Sequence, residues 1–345
     1  MDSLSQILLG AAAVAVCVPA SRRRSALLAG AALGTLPDLD VLPLSLLSLD
    51  PVEQMTLHRG ASHSLLVLPW VGLLLWWLLK RWTPVREAPR RWLFGIQLAL
   101  LTHPLLDALT VYGTQLLWPL ATPPVMWSSV FIIDPLYTLP LLAGCTLAWA
   151  WRARLAGQRA LVLGLALSSA YLGWSLAAKA LVEREVERSL ADSGFEKAPH
   201  FTAPMPFQTL LWRVVVMTPD GFLEGEHSLW ADQGPIAFRR YRTDTQARAQ
   251  VEALPAVERL EWFNRGFMKT EVREGLVVLS DLRMGAEPDY SFNFAVAKVS
   301  EQGIEEIRPQ QLAFSLQVRR RLEEMWTRIW VQPAARQGLQ RGPSD

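Results

Sequence analysis

Six apolar runs, at roughly 5–20, 25–36, 64–79, 92–118, 128–150 and 159–182, fill most of the first half of this chain. A helix that crosses the hydrocarbon core of a bilayer needs about 20 residues, within a range of about 17–25. The last three runs reach that length. The run Ser64–Leu79 reads SLLVLPWVGLLLWWLL and falls slightly short, with tryptophans suited to a membrane–water interface. The first two are short enough to form a hairpin or a re-entrant pair. The runs therefore predict a mainly α polytopic membrane domain of five or six spans over 1–182, followed by a smaller soluble α+β domain. Charge agrees with that division. Only 19% of the 345 residues are charged, against about a quarter in soluble proteins, and residues 1–182 hold a minority of them.

The placement of arginine predicts orientation. The start, Met1-Asp2-Ser3, is acidic, and Arg22, Arg23 and Arg24 follow the first apolar run, the reverse of a secretory signal. The loop 80–92 carries Lys80, Arg81, Arg86, Arg90 and Arg91, and the loop 152–159 carries Arg152, Arg154 and Arg159. By contrast 119–127 is uncharged and 37–57 is net acidic. The positive-inside rule puts the basic loops in the cytoplasm and, with six crossings, the C-terminal domain outside. A net charge of +2 without a basic, aromatic-rich patch argues against a nucleic-acid partner and leaves the lipid bilayer as the expected one. Oligomeric state leaves no trace in the sequence. Cys17 and Cys145 both fall in apolar runs and read as buried thiols.

Three of the five histidines, His58, His63 and His103, gather in this half with Asp38, Asp40 and Asp107. Histidine and carboxylate ligands without cysteine suit a divalent transition metal such as zinc or manganese, with one or two ions. His103 and Asp107 stand four apart and so share a helical face, which Thr110 continues. Ionisable groups inside a span cost about 2.5–3.5 kcal/mol each and need compensation, which a cation or a His–Asp hydrogen bond would supply. The segment His58-Arg59-Gly60-Ala61-Ser62-His63 reads as a loop entering a span, with Ser62 placed to cap a helix. It could turn both imidazoles to one centre, with Arg59 clamping an anion, or simply form a solvated turn. Asp38 and Asp40, in Pro37-Asp38-Leu39-Asp40, sit in an ordinary turn composition and gain interest only from their neighbours. Asp134, within FIIDPLYTLP, would orient a histidine from behind or form a polar pocket with Tyr137.

Glu183 to about residue 199 reads as a helical linker. Residues 200–331 alternate in β fashion around turns such as Pro219-Asp220-Gly221, with helical stretches at 244–264 and 311–330. That pattern predicts an extracytoplasmic α+β domain, and 332–345 reads as a disordered tail.

GTLPDLDVL, HRGASHSLL and LTHPLLDALTVYGTQLLWP, in that order, closely resemble the YdjM-like family of bacterial membrane-bound metal-dependent hydrolases. MDSLSQILLGAA and FIIDPLYTLPLL are similar to a branch of it, so the resemblance covers residues 1 to about 180. The family is regarded as a distant relative of the zinc-dependent phospholipase C superfamily. The resemblance implies that Asp38, Asp40, His58, His63, His103 and Asp107 are ligands or near-ligands. Where some members carry Thr-His near the N-terminus, this chain has Ser5-Gln6. The combined expectation is a hydrolase of the bacterial cytoplasmic (inner) membrane that cleaves a phosphoester or related bond of a lipid-borne substrate at the outer face. Its ions would polarise the phosphoryl group and acidify water, Arg59 would hold the anion, and Asp38 or Asp40 would accept the proton. Two other classes stay open: a non-enzymatic scaffold or regulator with a structural or sensing metal, and an ion- or proton-coupled transporter using His103, Asp107 and Asp134.

Overall fold

Several of the apolar runs form helices shorter than the runs themselves. The computed structural model describes residues 1–313, 318–333 and 340–341. It divides into two units, Met1–Leu47 with Leu57–Ser175, and Ser48–Thr56 with the chain from Leu176 onward. The helices up to the boundary are α1 (Ser3–Cys17), α2 (Arg23–Thr35), α3 (Val41–Ser45), α4 (Pro51–Leu57), α5 (Leu68–Leu79), α6 (Thr83–Glu87), α7 (Pro89–Ala108), α8 (Pro135–Trp151) and α9 (Leu155–Leu190).

The expectation of five or six spans is overturned. Among the described residues only α9 is long and apolar enough to cross a membrane. The number rises to three if two bent pairs each count as one span: Ala20–Thr35 with Pro37–Ser45, bent by 41°, and Pro51–His63 with Leu68–Leu79, bent by 59°. At about 1.5 Å per residue, the 15 residues of α1 span about 22 Å, short of a hydrocarbon core of about 30 Å. The run 92–118 stops being helical after Ala108, and the run 128–150 becomes helical only at Pro135, where Asp134 caps α8 by accepting from the Leu136 N–H at 3.0 Å. Apolar composition persisted through these breaks, so hydropathy alone merged helix with loop.

Within the first unit, α1 and α2 pack back to back through Gly10, Gly30 and Gly34, where an added Cβ would overlap the facing backbone. Gly10 meets Gly30, and Gln6 meets Gly34, so the pair is antiparallel. Gly95 near the start of α7 lies against Val14 and Cys17 at the end of α1, which makes α7 antiparallel to α1 as well. The Arg23 guanidinium bonds the Arg152 carbonyl at the end of α8, and Trp76 Nε1 of α5 donates to the Pro89 carbonyl at 2.9 Å. These contacts gather segments 18–24, 80–91 and 152–159 at one end of the unit. Segments 36–40, 58–63 and 103–107 gather at the other. Trp92, Ile96, Leu100, Leu141 and Leu161 fill the core between.

The second unit is rich in β-sheet. Strands β1 (His200–Pro204), β2 (Leu211–Thr218), β3 (Gly221–Ser228) and β4 (Phe238–Arg242) form an antiparallel run in sequence order, the β2–β3 hairpin closing over Pro219-Asp220. Helices α10 (Thr245–Val251) and α11 (Pro255–Asn264) follow. A second antiparallel sheet contains β5 (Met268–Arg273), β6 (Leu276–Asp281), β9 (Asn293–Ser300) and β10 (Gly303–Gln311) in the order β10-β9-β6-β5, while β7 (Gly285–Ala286) and β8 (Asp289–Tyr290) pair separately. Helix α12 (Val318–Trp330) follows, then the two-residue strand β11 (Gln340–Arg341), which pairs parallel with β4, and the rest of the tail 332–345 beyond Pro333 lies outside the described residues. Ala178, Val182, Val186 and Leu190, each one helical turn apart on α9, pack on Trp212, Val214 and Val216 of β2.

Candidate metal centre

Four side chains meet at the second end of the first unit. His103 and Asp107 stand one turn apart on α7, His63 ends the 3-10 turn Ala61–His63, and Asp38 lies in the turn Pro37–Asp40. One donor atom from each of Asp38, His63, His103 and Asp107 lies within 4.8 Å of all the others. The spacings are tight. His63 Nε2 is 3.1 Å from His103 Nε2, 3.4 Å from Asp38 Oδ1 and 3.2 Å from Asp107 Oδ2. His103 Nε2 is 3.4 Å from Asp38 Oδ1 and 3.6 Å from Asp107 Oδ2. Ligands about 2.0–2.1 Å from a tetrahedral zinc lie about 3.3 Å from one another, so these separations fit a single ion.

The hydrogen-bond roles strengthen the fit. His103 Nδ1 lies 2.8 Å from the Gly34 carbonyl, which can only accept, so Nδ1 carries the proton and Nε2 presents its lone pair. Ser62 Oγ donates to Asp40 Oδ2 at 2.6 Å, which leaves its lone pairs to accept from His63 Nδ1 at 2.9 Å. His63 Nε2 is then also an acceptor. With both imidazoles neutral, two lone pairs and two carboxylate oxygens converge here, and Asp107 Oδ2 is buried without a hydrogen bond. A divalent cation would join these four donors, beside the charge that Arg59 and the Met1 α-amino group already bring to Asp107. His63, His103 and Asp107 are buried, whereas the Asp38 side chain is 24% exposed, so the centre opens on the Asp38 side.

The remaining sequence candidates fall around this centre or away from it. His58 bonds Asp40 instead of joining the four donors, with Nδ1 2.8 Å from Asp40 Oδ1. Asp40 also accepts from the Arg59 N–H at 3.3 Å, so one carboxylate ties together His58, Arg59 and Ser62. Ser62 does this work instead of capping a helix, since α5 begins only at Leu68. Arg59 is buried with φ at 62°, a left-handed conformation rare for a side chain of this size. Its Nε lies 3.3 Å from Asp107 Oδ2, its Nη1 donates to Thr110 Oγ1 at 3.4 Å, and its guanidinium stacks 4.7 Å from the Tyr112 ring centroid. Thr110 Oγ1 donates to the Asp107 carbonyl at 2.7 Å. Asp134 is occupied as the cap of α8 and accepts from the Tyr171 hydroxyl at 2.7 Å, while buried Tyr137 offers its carbonyl to Ser168 at 2.7 Å. Asp134 is thus engaged with α8 and α9, and Tyr137 bonds α9 through its backbone carbonyl.

Sequence reasoning gave Gln6 no positive role. Its Nε2 donates to Asp107 Oδ1 at 3.0 Å and to the His103 carbonyl at 3.2 Å, and its Oε1 is buried without a partner. The α-amino group of Met1 also bonds Asp107 Oδ1. The glutamine thus stands beside the cluster, at the Ser5-Gln6 pair that the family resemblance had singled out.

Comparison with known proteins gives the family. The profile of the YdjM inner membrane protein family matches residues 1–182, over half of the chain and the whole of the segment that builds the cluster. No curated protein and no solved structure matches. The relationship to the phospholipase C superfamily gains no support from these comparisons. The family match shows that this chain belongs to the YdjM inner membrane proteins.

Proposed function

We propose that the protein is a metal-dependent hydrolase that acts on a phosphoester or related bond of a lipid-borne substrate at the outer face of the cytoplasmic membrane. The convergence of four metal-ligating side chains, their donor atoms 3.1–3.6 Å apart along five edges and open only at Asp38, carries this reading. A divalent ion held by Asp38, His63, His103 and Asp107 would supply Lewis-acid polarisation of a phosphoryl oxygen and acidify nearby water. The donor set suits zinc or manganese.

The neighbouring residues have separate work. Arg59, buried beside the cluster and backed by Tyr112, binds and orients an anionic group. His58 donates through Nδ1 to Asp40, which leaves Nε2 free to take or return a proton. That assignment moves the proton-accepting role from Asp38 or Asp40 to His58 and makes Asp40 a positioning residue. Orientation is supported by the charge of the first unit, whose basic segments lie at the end opposite the cluster. Helix α9 leaves that basic end at Leu155, so the same orientation puts the residues after it on the outer side.

The test is turnover of phosphoester lipids by detergent-purified protein loaded with zinc or manganese. The proposal expects ion-dependent release of the phosphorylated headgroup. His58→Gln should cut it by about 10²–10⁴-fold with bound metal unchanged. Metal bound in full with no turnover of any phosphoester lipid would instead favour a structural or sensing centre.

A further inference from the structure

At the basic end of the first unit, a cavity of about 320 Å³ lies between the α1–α2 connection and the first turns of α2, α7 and α9. Arg23, Arg91 and Gln158 supply its polar lining, and Val16, Val18 and Leu155 part of its apolar lining. Each of the three helices turns its N-terminus, the positive end of its dipole, toward this region. Acidic side chains would normally offset those ends, yet none occupies the first turn of α2, α7 or α9. Arg23 and Arg24 stand there in α2, and Arg90 and Arg91 in α7.

Arg23 is 1% exposed. Its Nη2 donates to Gln158 Oε1 at 2.7 Å and its Nη1 to the Arg152 and Arg154 carbonyls at the end of α8, but among the described residues no carboxylate pairs with it and its Nε has no acceptor. In the segments 18–24, 80–91 and 152–159, Glu87 is the single acid, and Arg22 takes it. Beyond those carbonyls, Arg23 and the neighbouring Arg91 have no carboxylate partner among the described residues, and an anion would fit between them. The surroundings specify what kind. Trp77, Trp82, Trp149 and Trp151 are exposed at this end, Lys80 sits 4.8 Å from the Trp77 ring and Arg24 4.9 Å from that of Trp149. Such tryptophan–cation pairs belong at the headgroup level of a bilayer.

We propose that this cavity is a headgroup site for an anionic glycerophospholipid. Its phosphate accepts hydrogen bonds from Arg23 and Arg91 at the converging helix N-termini, and its acyl chains leave along the apolar side at Val16, Val18 and Leu155. The site lies at the opposite end of α7 from His103, about 20 Å away along that helix, and is independent of the metal centre.

Native mass spectrometry of the full chain, released from vesicles of equal phosphatidylglycerol and phosphatidylcholine content, tests the assignment. The proposal expects a retained lipid that is predominantly phosphatidylglycerol. Arg91→Gln, at an exposed position that leaves the core intact, should cut that preference by about fivefold, and Arg23→Gln by at least as much. Equal retention of the two lipids by the wild type, or an unchanged preference in Arg91→Gln, would overturn it. Displacement of the retained lipid by millimolar inorganic phosphate would also overturn it, since the cavity would then be a free-anion site.

Discussion

Ser62 shows how much of the centre depends on a residue with no metal-binding chemistry of its own. By donating to Asp40 and accepting from His63 Nδ1, it fixes the tautomer that turns the His63 Nε2 lone pair toward the other donors. Ser62→Ala should therefore weaken metal affinity by about 10–100-fold without changing stoichiometry, as isothermal titration with zinc would show. An unchanged affinity would mean that His63 holds its tautomer without the hydroxyl. At this scale the sequence was informative about donors and silent about roles. The four-residue spacing put His103 and Asp107 on one face, and histidine chemistry singled out His63. Nothing in HRGASH distinguished His63, which enters the cluster, from His58, which bonds Asp40. That choice depends on a loop whose path is set by Arg59 in a left-handed conformation, and spacing rules do not reach it.

Among the elements, the α1–α2 pair matters most, because its backbone contact at Gly10, Gly30 and Gly34 presents the Gly34 carbonyl to His103. Gly30→Val forces two backbones apart and should cost about 1–3 kcal/mol, with a parallel loss of metal binding, measured by thermal melting with and without zinc. A stable variant that binds metal normally would uncouple the packing from the centre. Residues 1–36 read as short apolar segments, and hydropathy gave no hint that glycines at these positions set the distance between them. The same blindness produced the excess of spans: apolar composition runs on from Ala108 to residue 118 and starts again at 128, ahead of Pro135, whereas helix covers neither stretch. In the second unit, β1 meets the end of α9 where His200 Nε2 lies 3.0 Å from Glu183 Oε2. That hydrogen bond, working against burial, raises the His200 pKa. A raised folded-state pKa contributes stability that is complete below the unfolded value of about 6.5 and is lost as pH rises through the folded value. The melting temperature of the sheet signal should fall from pH 6 toward pH 9, and His200→Asn should flatten the profile. A wild-type profile as flat as that of the variant would contradict this.

For the whole molecule, the division between an apolar helical part and a more charged β-rich part was legible, because charge density and the period of apolar residues both change near residue 180. The first unit is polarised along its helices, with arginines at one end and the cluster at the other, and this arrangement underlies both the orientation and the lipid site inferred above. The most direct test of the central claim is the metal content of detergent-purified full-length protein, by mass spectrometry, for the wild type, His103→Ala and Asp38→Ala. The four-donor geometry predicts one transition-metal ion per chain in the wild type and its loss in both variants. No stoichiometric metal in the wild type, or the same content in all three proteins, would contradict it.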